Sequence, residues 1–445
     1  MAKFEFQYTI GKKKCRIDKY IGKGESAIIP SEIGGLPVKE IGESAFACCD
    51  SLTRVDIPDS VKYIGCNAFK KCTGLVELNI PDSVAVIGWD AFGWCKGLTS
   101  INIPDSIKYI GKGTFQWCTR LSSINIPNSV TNIGKSAFEG CHGLTSITLP
   151  NSVTEIGGSA FDSCDGLTSI SIPNSVKKIG KSAFEGCKGL TSIVIPDSVI
   201  EIGSYAFYLC DGLTNITLSK SITSIGKRTF DCCDGLTSIT IPNSVTKIGK
   251  SAFACCDGLT RVDIPASVTY IGENAFEDCR GLIDINIPNS VKKIGREAFA
   301  GCTALTTVDI PNSIRQLDAT FEGCTALTKI NIPDSIKAIH GAFAGCTGLT
   351  NITLTNSVTY IGSSAFFGCT CLTEIDIPNS VTAIGSYAFA HCTGLTEINI
   401  PDSVTEIGDS AFKGCTALVD VSVPKSVKIA DNAFKDCPNL RLQRR

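Results

Sequence analysis

Apolar and polar positions repeat along this chain with a period of about 23 residues, and one phenylalanine marks each repeat. The spacing is 23 residues from Phe46 to Phe299, and three of the later intervals are 22 residues. A fixed period in this range predicts a stack of similar structural units. The eighteen marker phenylalanines are Phe46, Phe69, Phe92, Phe115, Phe138, Phe161, Phe184, Phe207, Phe230, Phe253, Phe276, Phe299, Phe321, Phe343, Phe366, Phe389, Phe412 and Phe434.

Around each marker the unit is A-F-x-x-C-x-x-L-x-x-I-x-I-P-x-S-V-x-x-I-G-x-x. The segment Leu98–Ile103 alternates apolar and polar residues at its end, which predicts a short strand with one buried face. Pro104 follows at once and ends the strand, because proline cannot donate a hydrogen bond to a neighbour. The S-A-F-x-x-C run has helical spacing and a serine placed as a cap, which predicts one short helical turn.

A single unit of this kind cannot bury its apolar side, so stacking is required for stability. We therefore predict an α/β repeat solenoid, a right-handed coil of about 18 turns of 23, in some cases 22, residues. Short parallel strands are expected on the concave face, and short helical turns on the flank.

The two ends depart from the repeat. Residues 1–45 are predicted to form a capping hairpin, with strands from Phe4 to Ile10 and from Cys15 to Ile21, followed by an entry unit. Residues 46–445 are predicted to form the array, ending in a short charged strand from Leu440 to Arg445. No linker separates these parts, so one continuous domain is expected.

Charge and hydropathy narrow the function classes. The 41 basic and 43 acidic residues nearly cancel, which provides no strong field to attract nucleic acid. No apolar run approaches the roughly 20 residues of a membrane-spanning helix. No apolar stretch follows Lys3, so a secretory signal is not predicted. We expect a cytoplasmic protein, or one that reaches the cell surface by a leaderless route.

Cysteine is abundant, and 18 of the 24 cysteines lie three residues after a marker phenylalanine. That placement favours a ladder of buried thiols in a reducing environment. The lack of C-x-x-C pairs argues against structural zinc, and we predict no metal site and no cofactor. Cys232 and Cys255 occupy one position in adjacent turns, which leaves a disulfide or a shared metal as the alternative there. The cysteines outside the ladder are Cys15, Cys48, Cys66, Cys232, Cys255 and Cys371.

Two surfaces are candidates for binding a partner. Trp94 and Trp117 both lie two residues after a marker phenylalanine in adjacent turns, and Trp89 and Tyr109 are near in sequence. These rings predict an apolar patch on the flank, with local packing as the alternative. The second candidate is the concave wall, whose outward positions are small and polar in the middle and acidic later. Its acidic positions are Asp284, Asp309, Glu374, Asp376 and Glu397.

The recurring I-P-x-S-V, I-G-x-x-A-F and x-x-C-x-x-L motifs resemble the BspA-like, or Treponema pallidum type, class of leucine-rich repeats over about residues 27–441. The resemblance implies a surface role in adhesion or protein binding, as in members from oral and gut bacteria and protozoan parasites. It does not name a partner, because the repeat is a scaffold.

No catalytic constellation is evident, because the three histidines, His142, His340 and His391, lie in different repeats. We therefore predict a non-enzymatic scaffold that presents an extended surface to a protein, such as a host or cell-surface protein. An intracellular structural scaffold and a glycan-binding surface module are the alternatives.

Overall fold

The computed structural model describes residues 5–445, and the chain forms two compact units, Met1–Ile222 and Thr223–Arg445. Each unit is a β-solenoid in which successive turns of the chain stack on one another. Every full turn but one supplies a strand from the I-x-I segment, here called the first strand; the equivalent residues 374–376 form no strand. A second strand ends at the isoleucine before the conserved glycine position, or one residue later in Gln316–Asp318 and Ala338–His340. Each of these strands pairs in parallel with its equivalent in at least one neighbouring turn.

The first unit begins with the five strands Phe6–Ile10, Cys15–Tyr20, Ser26–Ile28, Glu32–Ile33 and Leu36–Ile41. Its first strands are Arg54–Asp56, Glu77–Leu78, Ser100–Ile101, Ser123–Ile124, Ser146–Thr148, Ser169–Ser171, Ser192–Val194 and Asn215–Thr217. Its second strands are Tyr63–Ile64, Val86–Ile87, Tyr109–Ile110, Asn132–Ile133, Glu155–Ile156, Lys178–Ile179 and Glu201–Ile202.

The second unit continues both series. Its first strands are Ser238–Thr240, Arg261–Asp263, Asp284–Asn286, Thr307–Val308, Lys329–Asn331, Asn351–Thr353, Glu397–Asn399, Asp420–Val423 and Arg441–Arg444. Its second strands are Ser224–Ile225, Lys247–Ile248, Tyr270–Ile271, Lys293–Ile294, Gln316–Asp318, Ala338–His340, Tyr360–Ile361, Ala383–Ile384, Glu406–Ile407 and Lys428–Ile429.

The N-terminal segment begins with an antiparallel pair of strands over the described residues. Phe6–Ile10 pairs antiparallel with Cys15–Tyr20, and the second of these strands pairs in parallel with Leu36–Ile41. Phe4, the predicted first residue of the hairpin, lies outside the described residues. At the other end of the chain, Arg441–Arg444 pairs with Asp420–Val423, as the charged final segment predicts.

The core of each unit consists of columns of identical side chains. The rings of Phe161 and Phe184 stack with centroids 5.4 Å apart and an interplanar angle of 6°, and both side chains are fully buried. The leucine, isoleucine and valine positions of the repeat are buried beside them. Each turn therefore covers the apolar side of the turn before it, as the period predicts.

The cysteine ladder lies in the same core. The Cys164 thiol donates a hydrogen bond to the Phe138 carbonyl of the preceding turn at 3.1 Å, and Cys187 donates to the Phe161 carbonyl at the same distance. Burial raises the pKa of the Cys141 thiol to about 12. Thiols held in this way stay protonated and act as small core side chains, in agreement with the buried-ladder interpretation.

The predicted helical turn on the flank is wrong. No helix is present among residues 5–445, and so none that could span a membrane. The run around each marker phenylalanine is a series of turns whose backbone repeatedly enters the left-handed region. Ser159 and Ser163, two residues before and two after Phe161, have φ of 52° and 56°. A right-handed helix cannot continue through such residues, because they reverse the sense of the backbone.

The flank backbone forms hydrogen bonds to the next turn instead of forming a helix. The N–H groups of Ser159, Phe161 and Ser163 donate to carbonyl oxygens of the following turn, while Cys164 donates back to Phe161 within its own turn. The three acceptors are the carbonyls of Lys181, Ala183 and Glu185, at 2.8, 2.8 and 2.7 Å. Alternate residues thus join neighbouring turns much as strands do, which satisfies the buried backbone groups.

The position two residues after the marker phenylalanine, here called the flank column, has positive φ in all eighteen turns. Seven turns hold glycine there, and the others hold residues with side chains. Its members are Cys48, Lys71, Trp94, Trp117, Gly140, Ser163, Gly186, Leu209, Cys232, Cys255, Asp278, Gly301, Gly323, Gly345, Gly368, His391, Gly414 and Asp436.

The flank column predicts opposite effects for two matched substitutions. We expect Gly186→Ala to lower the free energy of unfolding by about 1–2 kcal/mol, because Gly186 has φ of 67° and an L-residue is disfavoured there. A Cβ at Gly186 would meet its nearest atom, in Ser163, at 3.5 Å, so crowding does not contribute. We expect Ser163→Gly to raise stability. Urea unfolding of both variants measures the change in the free energy of unfolding. Changes of the same sign in the two variants would contradict the prediction.

Candidate functional site

Two stacked indoles form the most prominent feature of the flank column. The rings of Trp94 and Trp117 have centroids 5.3 Å apart and an interplanar angle of 23°. Both side chains are half-buried, and both residues have positive φ, 65° and 59°. Their backbone N–H groups each donate to a carbonyl of the next turn, Trp94 to Gln116 and Trp117 to Glu139, both at 2.6 Å, which fixes adjacent turns relative to each other. The indoles are thus neighbours on the flank and outside the core, as their shared position predicts.

Charged and polar groups extend this pair at both ends. The Lys96 ammonium lies 5.4 Å from the centroid of the Trp94 ring, within the range of a cation–π contact. The His142 ring meets Trp117 edge-on, with centroids 5.5 Å apart. Asp165 Oδ2 lies 3.2 Å from His142 Nδ1. We call Lys96, Trp94, Trp117 and His142 the aromatic strip. An apolar surface with polar ends is the usual composition of a protein-binding anchor.

Trp89 and Tyr109 do not join the aromatic strip. Among residues 5–445, no ring contact connects either residue to Trp94 or Trp117. Trp89 is 63% exposed and lies beside the backbone of Gly111, while Tyr109 is 58% exposed on a second strand. The four aromatic residues predicted as one patch therefore divide into a stacked pair and two separate exposed side chains.

The outward side chains of the first strands form the strand wall. In the first unit this wall bears a groove of about 840 Å³ that extends from Arg54 to Thr148. Asn102 is fixed in the groove by hydrogen bonds between its side-chain amide and the backbone of Ile80, at 2.9 and 3.0 Å. Serine and asparagine are the most frequent polar residues of the groove, and Arg54, Asp56 and Glu77 add charged groups at one end, so it offers hydrogen bonds but few large apolar side chains.

The five predicted acidic residues of the strand wall belong to the second unit, and all five are exposed. Glu374, Asp376 and Glu397 line one groove of about 310 Å³, together with Asp420. Asp284 and Asp309 lie in earlier turns and do not line this groove. The structure thus brings together three of the five predicted acidic residues, in a site that would attract cationic groups.

Cys232 and Cys255 lie in adjacent turns of the flank column, as their spacing predicts, and a third group lies beside them. A carboxylate oxygen of Asp231 and the two Sγ atoms all lie within 4.8 Å of one another. Sequence reasoning found the cysteine pair but missed Asp231. It also missed His142 as a neighbour of Trp117, which lies 25 residues away in the chain. In both cases the missed residue lies one or two positions from a flank-column residue, and that closeness was the signal that could have found it.

Known proteins resemble this chain throughout its length. The family model for the BspA type leucine rich repeat region matches residues 39–168, 154–283, 269–341 and 318–441. A leucine-rich repeat protein from Bacteroides ovatus is 26% identical, with a TM-score of 0.52, and the match covers 99% of this chain and 94% of that one. None of the curated proteins compared with the chain matches it.

A second solved structure, a leucine rich cell surface protein from Faecalibacterium prausnitzii, is 33% identical, with a TM-score of 0.51. The match covers 79% of this chain and 93% of that chain. The motif spacing, the parallel strand ladders and these matches agree. This chain belongs to the family of BspA-type leucine-rich repeat proteins.

Proposed function

We propose that this chain is a non-catalytic scaffold that binds a protein partner, with the aromatic strip as the anchor of the interface. The stacked pair Trp94 and Trp117 carries the proposal, because tryptophan is enriched among the few residues that dominate binding energy. Holding an L-residue in the left-handed region costs free energy, and seven other turns avoid that cost with glycine. Two adjacent tryptophans at such a position favour a use beyond local packing.

Family membership supports the scaffold role, since these repeats provide a framework onto which binding sites are placed. The Faecalibacterium prausnitzii protein is described as a cell surface protein, which favours a surface role in adhesion for this chain as well. An intracellular scaffold would use the same aromatic strip. Proteolysis of intact cells distinguishes these locations, because only a surface protein is cleaved by an added protease.

The double variant Trp94→Gly/Trp117→Gly tests the anchor. Glycine is the residue that seven other turns hold at this position, so the backbone is expected to keep its path. We expect the variant to retain at most about one tenth of the proteins that the parent captures from host-cell and native-cell extracts, since truncating a hot spot costs about 2 kcal/mol or more. Trp89→Gly is the control, because Trp89 is exposed and unstacked, and its capture should equal that of the parent.

The acidic groove is the second candidate site, favoured by the convergence of Glu374, Asp376 and Glu397. If this groove binds the partner, the triple variant Glu374→Gln/Asp376→Asn/Glu397→Gln loses capture and salt elutes the partner from the parent, because exposed charge interactions are screened. If the triple variant loses capture while the tryptophan double variant captures as much protein as the parent, the acidic groove replaces the aromatic strip as the proposed site.

A further inference from the structure

A cluster of three ligand-type side chains lies on the flank of the second unit. Asp231, Cys232 and Cys255 place one carboxylate oxygen and two Sγ atoms within 4.8 Å of one another. The Cys232 thiol donates to Asp231 Oδ1 at 3.4 Å. Asp231 is buried, and the two cysteines are half-buried, so the cluster is open to solvent on one side. The stacking of turns brings positions 232 and 255 together, but seven other turns hold glycine in the flank column, so the fold does not require cysteine there.

The backbone holds both cysteines in equivalent orientations. Cys232 and Cys255 have φ of 56° and 55°, so their side chains leave the stack in the same direction. The Cys232 N–H donates to the Ala254 carbonyl at 2.8 Å, and the Cys255 N–H donates to the Glu277 carbonyl at 2.7 Å. These hydrogen bonds fix the separation of the turns. The two thiols are therefore placed side by side before any ligand arrives.

Burial raises the pKa of the Asp231 carboxyl and of the Cys255 thiol, and burial together with the Asp231 charge raises the pKa of the Cys232 thiol. Without a cation the thiols stay protonated. Arg228 Nε lies 3.3 Å from Asp231 Oδ2, on the carboxylate oxygen that does not face Cys232. Arg228 thereby orients the carboxylate, as a residue that contacts a metal ligand commonly does.

We propose that Asp231, Cys232 and Cys255 bind a thiophilic divalent cation, Zn²⁺ or one of similar preference, through two thiolates and one carboxylate, with water as the fourth ligand. From the usual bond lengths, a sulfur and an oxygen on one tetrahedral Zn²⁺ are roughly 3.6 Å apart. The 3.4 Å between Cys232 Sγ and Asp231 Oδ1 is close to that value. Binding converts two thiols into two metal-bound thiolates and releases two protons to solvent.

Co²⁺ titration of the reduced, metal-free full chain tests the proposal, because thiolate-bound Co²⁺ absorbs strongly in the near ultraviolet. We expect one equivalent of Co²⁺ to bind per chain and Zn²⁺ to displace it. The double variant Cys232→Gly/Cys255→Gly should lose the absorption, and glycine suits the flank column in seven other turns. Asp231→Asn keeps both thiols and should lower the affinity by at least about tenfold, the smaller of the losses seen even for outer partners of a metal.

Cys48→Ser is the matched control. Cys48 occupies the flank column in its own turn, but the next turn holds Lys71 there, so two cysteines do not meet. This variant should bind Co²⁺ as the parent does. The proposal is overturned if the parent binds no Co²⁺, or if the cysteine double variant binds as tightly as the parent. It is also overturned if the reduced parent binds nothing while the isolated chain contains a Cys232–Cys255 disulfide.

Discussion

Phe161→Ala is expected to lower the free energy of unfolding by about 3–5 kcal/mol, the usual cost of removing a buried phenylalanine ring. Phe161 is fully buried and stacks on the rings of Phe138 and Phe184, each with centroids 5.4 Å away. Both neighbours would lose packing contacts on one face, and the cavity would lie between rigid hydrogen-bonded turns that cannot close over it. Urea unfolding measures the loss.

Phe367→Ala is the control for this prediction. Phe367 lies outside the marker series and is 38% exposed, so its removal should cost less than about 1 kcal/mol. In the Phe161 variant, hydrogen exchange should accelerate most in the turns that contain Phe138 and Phe184, because a repeat contacts mainly its neighbours. Equal losses for Phe161→Ala and Phe367→Ala would contradict the stacked-core account.

Gly180→Ala is expected to cost about 3 kcal/mol, for a different reason. A Cβ on Gly180 would lie 2.5 Å from the Gly158 nitrogen and 2.6 Å from the Gly157 carbonyl carbon. These are backbone atoms of the preceding turn, which cannot rotate aside as a side chain can. The Gly180 N–H also donates to the Ile156 carbonyl at 2.8 Å, so separating the turns would weaken that hydrogen bond. Overpacking of this kind costs about 1–3 kcal/mol or more.

Gly93→Ala is the control for crowding. A Cβ on Gly93 would meet its nearest atom at 3.4 Å, and other turns hold Gln116 and Glu139 at the same position. Its effect in urea unfolding should lie within about 0.5 kcal/mol of zero. If Gly180→Ala were as mild as this control, the close contact between turns would not limit the choice of residue there.

The 22-residue turns show how this contact depends on the length of the repeat. In all three, the residue that follows the last isoleucine or leucine of the second strand is Asp318, His340 or Ala430, where the 23-residue turns have glycine. Asp318 and His340 extend their second strands by one residue and pair with each other. In the turns of Asp318 and His340 the missing residue lies between the second strand and the marker phenylalanine, whereas in the turn of Ala430 it lies between Val427 and Ile429. A side chain is accommodated where a 23-residue turn has none.

The repeat, the strand positions and the buried columns could be predicted from the sequence, because each follows from a pattern that recurs in every turn. Phe161 and Cys164 illustrate this, since both occupy the core column that their spacing predicts. The helical turn was wrong because S-A-F-x-x-C has the apolar spacing of a helix. The left-handed residues that prevent the helix include Ser159 and Ser163, which carry no compositional signal of the kind that glycine gives.

The candidate sites were predictable only in part. Trp94 and Trp117 share a repeat position, so their stacking follows from the period. The contact between His142 and Trp117, and that of Asp231 with the cysteine pair, depend on side-chain directions around left-handed backbone. Those directions are set by hydrogen bonds between turns, which a one-dimensional pattern does not encode. The groove that gathers Glu374, Asp376 and Glu397 but omits Asp284 depends equally on position within the stack.

The hydrogen bonds that join the flank of one turn to the next have a consequence for how such a chain changes in length. Each turn presents the same carbonyl acceptors to the turn before it and the same N–H donors to the turn after it, as Ser159, Phe161 and Ser163 do. Duplication or deletion of one whole 23-residue turn would restore every bond across the junction. A change of a few residues would misalign donors with acceptors. Recombination between near-identical repeats can therefore produce longer and shorter descendants that still fold, in steps of one turn.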